Sequence, residues 1–185
     1  MSGTDGQQKV RLNVTRALSR LKSAFITLDK RVTGEKSILP RRSWNDFYSP
    51  MHAYAGQGGG QKYSSNGEFE FQVQLGSKLY SEYPIRSHAE AYYQLRKTLG
   101  VQSSNIHSFD IEAREYRNNK FSLAIDFERV IEAGFSGMNT RAGDILNVRF
   151  DHRDTDSSHY AHQMYIVLHA DCIMEIRDGG ITVLD

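Results

Sequence analysis

Hydrophobic and polar residues alternate strictly in several short stretches of the chain, the clearest of which runs from residue 69 to residue 75. Successive side chains of a β-strand point to opposite faces, so this pattern predicts strands with one face in a core. Residues 121–127 alternate in the same way. A third stretch, residues 164–170, is apolar on both faces, which predicts the most buried strand. The predicted core faces are Phe69, Phe71, Val73 and Leu75, then Phe121, Leu123, Ile125 and Phe127, then Met164, Ile166 and Leu168.

One segment has helical instead of alternating periodicity, with apolar residues recurring every three to four positions after Pro84. Ser87 is followed three residues later by Glu90, which is the pattern of a capping box. Gly100 can adopt the left-handed conformation that ends many helices. The segment therefore predicts an α-helix over about residues 88–99, capped by Ser87.

The order of these elements predicts the fold class. About eight short strands, separated by long connections and interrupted by one helix, predict an all-β fold, an antiparallel β-sandwich of jelly-roll type with one inserted α-helix. Asp178, Gly179 and Gly180 predict a tight turn between two final strands. We expect residues 1–8 to form a polar N-terminal tail and residues 9–185 to form a single jelly-roll domain.

Composition and charge narrow the possible partners. The formal net charge of the 185-residue chain is +1, so no global field favours nucleic acid or an anionic membrane. No apolar run is long enough to span a bilayer, and the N-terminus lacks the apolar core of a secretory signal. The N-terminal quarter is nonetheless basic, which leaves open a nucleic-acid contact or a charged subunit contact. Its basic residues are Arg16, Arg20, Lys22, Lys30, Arg31, Arg41 and Arg42.

Motifs that would carry chemistry are incomplete. The run Gly56–Gln61 lacks the spacing of a phosphate-binding loop and is interpreted as a surface loop. Cys172 has no neighbouring base, and its apolar surroundings predict a small buried side chain. Neither the histidines nor the aspartates complete a zinc or calcium pattern, so we expect no catalytic residue, no metal and no cofactor. The candidates weighed are His152, His159, His162 and His169, together with Asp151, Asp154 and Asp156.

Five segments, in this order, resemble the C-terminal jelly roll of the double jelly-roll major capsid proteins of eukaryotic DNA viruses and polinton-like elements. The similarity extends from about Arg11 to Asp185. The segments are RLNVTRALSRLKSAFITL, WNDFYSPM, EFEFQVQLGSKLYSEYPIRSHAEAYYQLRKTLG, GMNTRAGDILNVRF and HQMYIVLHADCIMEIRDGGITVLD.

The resemblance implies a structural protein of the virion that has no enzymatic activity. It also implies self-association into a capsomer, as a trimer or pseudo-hexamer, beside other capsid proteins. The chain holds one roll where the family has two, so it corresponds either to the second domain or to a single-roll relative. A different class stays open, since a sandwich of this size also serves as a binding module, for instance for glycans.

Overall fold

The structure, a computed structural model, describes residues 3–4, 7–29, 47–50, 68–100, 111–128, 137–141, 144–153, 161, 163–177 and 179–184. Within these residues the chain forms ten β-strands and two α-helices. The strands are β1 (Gly3–Thr4), β2 (Gln7–Val14), β3 (Leu21–Asp29), β4 (Glu68–Leu75), β5 (Lys78–Ile85), β6 (Ser122–Asp126), β7 (Leu146–Arg153), β8 (Gln163–Ala170), β9 (Ile173–Arg177) and β10 (Gly180–Leu184). The helices are α1 (His88–Thr98) and α2 (Ala113–Asn118).

The strands form two larger sheets and a separate hairpin. The first sheet has the order β1-β2-β7-β4-β5, the second has the order β6-β3-β8, and β9 pairs with β10. Every pairing between these strands is antiparallel. Buried residues of both sheets belong to one hydrophobic cluster, so the two sheets enclose a common core.

The pairing order is that of a jelly roll entered at an unusual point. A jelly roll has two four-stranded sheets, which read B-I-D-G and C-H-E-F when the strands are lettered in chain order. Here β5, β4, β7 and β2 occupy places B, I, D and G, while β6, β3 and β8 occupy places C, H and E. The chain therefore enters the roll at place G, and the turn between β4 and β5 joins places I and B. The predicted jelly-roll sandwich is confirmed.

The first two predicted core faces are also confirmed. The apolar residues of β4, from Phe69 to Leu75, are at most 2% exposed, and so are Leu123 in β6 and Phe121 just before it. Phe69 and Phe121 contact each other edge to face across the sandwich, with ring centroids 5.7 Å apart. Such pairs add attraction beyond the burial of apolar area. We call the core-facing side of each sheet its inner face.

Helix α1 begins and ends where the sequence predicts. The Ser87 side-chain oxygen accepts a hydrogen bond from the Glu90 backbone N–H at 3.2 Å, as an N-cap should. The Glu90 carboxylate accepts in turn from the Arg86 N–H at 3.3 Å. At the other end Gly100 has a φ of 69°, the left-handed conformation that glycine adopts without strain. Ala91 and Leu95 are the buried residues of the helix.

Two local predictions are wrong. The polar run at residues 114–120 predicts a connection between strands, whereas Ala113–Asn118 forms α2. Its only buried side chain is Tyr116, and a single apolar position gives no periodicity to detect. Pro84, which has no N–H to donate, predicts the end of strand pairing. The next residue, Ile85, nevertheless pairs with Phe71 beyond an irregularity in the register, so β5 continues past the proline. An edge strand tolerates proline because its outer N–H groups need no partner within the sheet.

Two burial predictions are also wrong. Strand β8 is not the most buried, because Tyr165, Val167 and His169 are exposed and its other side chains are only partly covered. Cys172, expected in the core, is exposed as well. Both lie at the margin of the second sheet, where β8 is the last strand. Apolar character on both faces therefore does not reflect a central position here.

Residues near both ends of the chain form paired strands. Part of the predicted polar tail pairs within the first sheet, since Gly3 and Thr4 lie opposite Gln8 and Gln7. The predicted turn at Gly179 joins β9 to β10, and Gly179 has a φ of 120°. The predictions for the Gly56–Gln61 loop, His159, His162, Asp154 and Asp156, and four basic residues of the N-terminal quarter lie outside the described residues.

Candidate interaction surface

The outer face of the first sheet is polar, and its charges pair with one another. Arg11 in β2 donates two hydrogen bonds to the Asp151 carboxylate in β7, at 2.6 and 2.8 Å. The hydrogen bond to Asp151 raises the pKa of the Arg11 guanidinium. Arg149 donates to the Gln74 side chain at 2.8 Å, and Arg86 forms an ion pair with Glu70 at 3.0 Å. Cross-strand partners of opposite sign cancel most of the local field.

A shallow cleft of about 170 Å³ lies on this polar face. None of the described residues that line it is aromatic, whereas the glycan-binding alternative relies on aromatic and polar loop residues. Of the aromatic residues between positions 44 and 54, Trp44 and Tyr54 lie outside the described part of the chain, and Tyr48 is fully buried. The cleft is lined by Arg11, Glu70, Gln72, Pro84, Arg149 and Asp151.

The basic N-terminal quarter is partly neutralised where it is described. The Lys22 ammonium lies 2.9 Å from the Asp171 carboxylate and 3.1 Å from that of Glu128. Hydrogen bonds to Asp171 and then to Glu128 raise the pKa of Lys22. Arg16 is exposed. A cation held by two carboxylates attracts a phosphate less than an unpaired one does, so Lys22 contributes little to a nucleic-acid contact.

Of the two described histidines weighed as metal ligands, His169 is exposed and His152 lies in a packing position. Nδ1 of His169 is 3.4 Å from the Ser23 hydroxyl, and His152 is fully buried beside the ring of Phe150. The described residues contain no group of three or more potential metal ligands. His159 and His162 lie outside them.

A serine and a histidine that the sequence analysis missed form a close pair. The Ser49 hydroxyl lies 2.6 Å from Nε2 of His88, the first residue of α1. A serine beside a histidine is the arrangement of an activated nucleophile. Ser49 is fully buried, however, and the His88 ring packs against Phe69 and Phe121. This geometry ties residues 47–50 to the start of the helix.

The most exposed apolar surface is one face of the β9–β10 hairpin. Directly paired residues of antiparallel strands share a face, and the register pairs Met174 with Val183 and Ile176 with Ile181. These four side chains, which we call the hairpin face, are 56 to 76% exposed. Together they present on the order of 400 Å² of surface, the size at which an apolar patch marks an interaction site.

The apolar character of the hairpin face can be predicted from the sequence, but its exposure to solvent cannot. Residues 174 and 176, and then 181 and 183, alternate with polar or smaller neighbours around the predicted turn. That alternation indicates a two-stranded ribbon with one apolar face, and such a face is normally placed in the core. An isolated hairpin is marginally stable in water, so a protein that presents one needs something to cover it.

No protein-family model, curated protein or solved structure matches the chain. Neither helix of the described residues combines the length and the apolar character that crossing a bilayer requires.

Proposed function

We propose that this chain is a structural capsid protein, a jelly-roll building block that self-associates into capsomers of a viral shell. It acts by side-by-side association, as a trimer or as a pseudo-hexamer with further rolls, and its place is the virion. The observation that carries the proposal is the hairpin face, an apolar surface of four side chains that the register places together and that are all more than half exposed.

The size of the surface supports association. Stable protein interfaces bury at least about 1,000 Å² in total, counted over both partners. A stable contact through the hairpin face therefore needs a partner surface that is at least as large as the hairpin face itself. Identical chains can supply that area when one patch on each copy contacts a different patch on the next copy. Repeating this contact arranges the copies in a closed ring when the rotation between neighbours allows it.

The charge of the chain supports the same proposal. A formal net charge of +1 imposes little repulsion between copies, and near-neutral proteins associate readily. The ion pairs Arg11–Asp151 and Arg86–Glu70 on the outer face of the first sheet leave that face hydrated and poorly suited to hydrophobic burial. Association is therefore expected through the margin that carries the hairpin, with the charged face exposed to solvent.

The experiment is sedimentation velocity across a wide range of protein concentration, combined with electron microscopy of the particles formed by the full native product. We expect a concentration-dependent shift from monomer to trimer and incorporation into a shell. A chain that stays monomeric at high concentration and is absent from particles would contradict the proposal. Tight binding of a small glycan by such a monomer would favour the binding-module class.

A further inference from the structure

Among the described residues, no strand occupies one of the four places of the second sheet. Its described order, β6-β3-β8, fills places C, H and E, so place F lies along the outer edge of β8. In a jelly roll, the strand that follows E along the chain takes place F and pairs with E. Here the strand that follows β8 is β9, which pairs with β10 and forms a separate sheet.

Beside place F, part of the hydrophobic core is exposed to solvent. On the inner face of β8, Met164, Ile166 and Leu168 are only partly buried, although their β3 partners in the register are at most 1% exposed. In the opposite sheet, Leu12 pairs with the fully buried Val148, so it also lies on the inner face, yet it is 37% exposed. These side chains belong to both sheets and mark one uncovered margin of the sandwich.

The link between β8 and β9 prevents the chain's own hairpin from filling this place well. Only Asp171 and Cys172 separate the two strands. A two-residue loop would fix the register, with Val167 opposite Ile176 and Leu168 opposite Glu175. Glu175 and Arg177 would then enter the inner face, and Met174 and Ile176 would stay outside. Folding back would therefore bury two charges and expose the hairpin face.

A hairpin from another molecule carries no such restriction. Without the two-residue loop, its register can shift by one residue, and such a shift exchanges the two faces. Met174 and Ile176 would then continue the inner face of β8 and cover Leu168 and Leu12, while Glu175 would face solvent beside Val167. Both uncovered apolar surfaces are buried by this one arrangement.

We propose that the β9–β10 hairpin of one copy occupies place F beside β8 of a second copy of this chain. This inference rests on the proposed function, for which it names the contact between copies. The contact joins two different patches, so repeating it forms a closed ring or an open filament. Backbone hydrogen bonds to the edge of β8 give the affinity, and the hairpin face fixes the register.

Disulfide cross-linking between two differently marked chains tests the arrangement. Both chains carry Cys172→Ser, one carries Val167→Cys in β8, and the other carries Glu175→Cys in β9. On mild oxidation of the mixture we expect a covalent heterodimer, since both positions lie on the outer face of the shared sheet. The matched control replaces Glu175→Cys by Ile176→Cys, which points to the inner face and should cross-link at least tenfold less.

A single chain with both Val167→Cys and Ile176→Cys tests the competing occupant. If it closes a disulfide within the monomer, the hairpin folds back on its own β8 and the proposal is overturned. If the unmodified chain assembles but no pair cross-links between copies, the hairpin serves a different partner and the proposal is likewise overturned.

An association measurement separates this inference from the proposed function. Ile176→Lys should weaken self-association by about one to two factors of ten, the worth of burying one such side chain. Glu175→Lys on the opposite face should leave it within about threefold. Equal assembly of the Ile176→Lys variant would overturn the hairpin contact and leave the building-block function standing. A monomeric unmodified chain would overturn both.

Discussion

The clearest test of the sandwich core is Phe71→Ala in the centre of β4. Phe71 is fully buried, and its cross-strand neighbours Phe150 and Ile85 are fully buried too. Removing a buried phenylalanine ring costs about 3–5 kcal/mol, because the transfer energy is lost and the cavity closes only partly. A domain of this kind has a total free energy of unfolding of about 5–15 kcal/mol, so the variant loses a large share of it.

Urea denaturation followed by circular dichroism measures this loss. With a slope of about 1–3 kcal/mol per molar urea, the midpoint should fall by roughly 2 M. The matched control is Tyr83→Ala in the adjacent strand β5, where the side chain is 75% exposed and the expected change is within about 0.5 kcal/mol. A loss below about 1 kcal/mol for Phe71→Ala, or equal losses for both variants, would refute the assigned inner face.

Three smaller perturbations test individual contacts. Ser87→Ala removes the N-cap of α1 and should cost about 1 kcal/mol in a thermal melt, whereas Ser87→Asp should keep the cap. Tyr116→Phe removes a 2.6 Å hydrogen bond to the Ser122 carbonyl and should cost about 1 kcal/mol in urea denaturation. Burial raises the pKa of the Tyr116 phenol above its ordinary 10.0, so stability is complete below pH 10 and falls as pH rises further. Unfolding titrations above pH 10 should therefore show a shallower decline for Tyr116→Phe.

The predictions that succeeded rest on local physics. The alternation from Phe69 to Leu75 specifies which residues share an inner face, because a strand allows only two faces. The helix cap depends on Ser87 and Glu90, three residues apart, and needs no information from elsewhere in the chain. Both features are determined within a few residues, so the sequence contains them directly.

The pairing order of the strands could not be predicted in the same way. Strand β2 pairs with β7 across more than one hundred residues, and no local pattern fixes that partnership. Entry into the roll at place G depends on the whole set of pairings. The short helix α2 was missed for a different reason, since Tyr116 alone holds it against the ring of Tyr92 at 5.0 Å.

The two errors in burial have one physical cause. Strand β8 and the hairpin carry the apolar residues of core strands, yet Val167 and the hairpin face are exposed. A sequence-based prediction places such residues in a core because a single chain gains most free energy by burying them. In natural sequences the local pattern and the global fold usually agree. Part of the disagreement lies at the margin beside place F, where Leu12 is exposed as well. If the hairpin of a second copy fills that place, the inner face of β8 becomes buried in the assembly, while Val167 stays on the outer face. The exposed residues then indicate where one copy ends and the next begins.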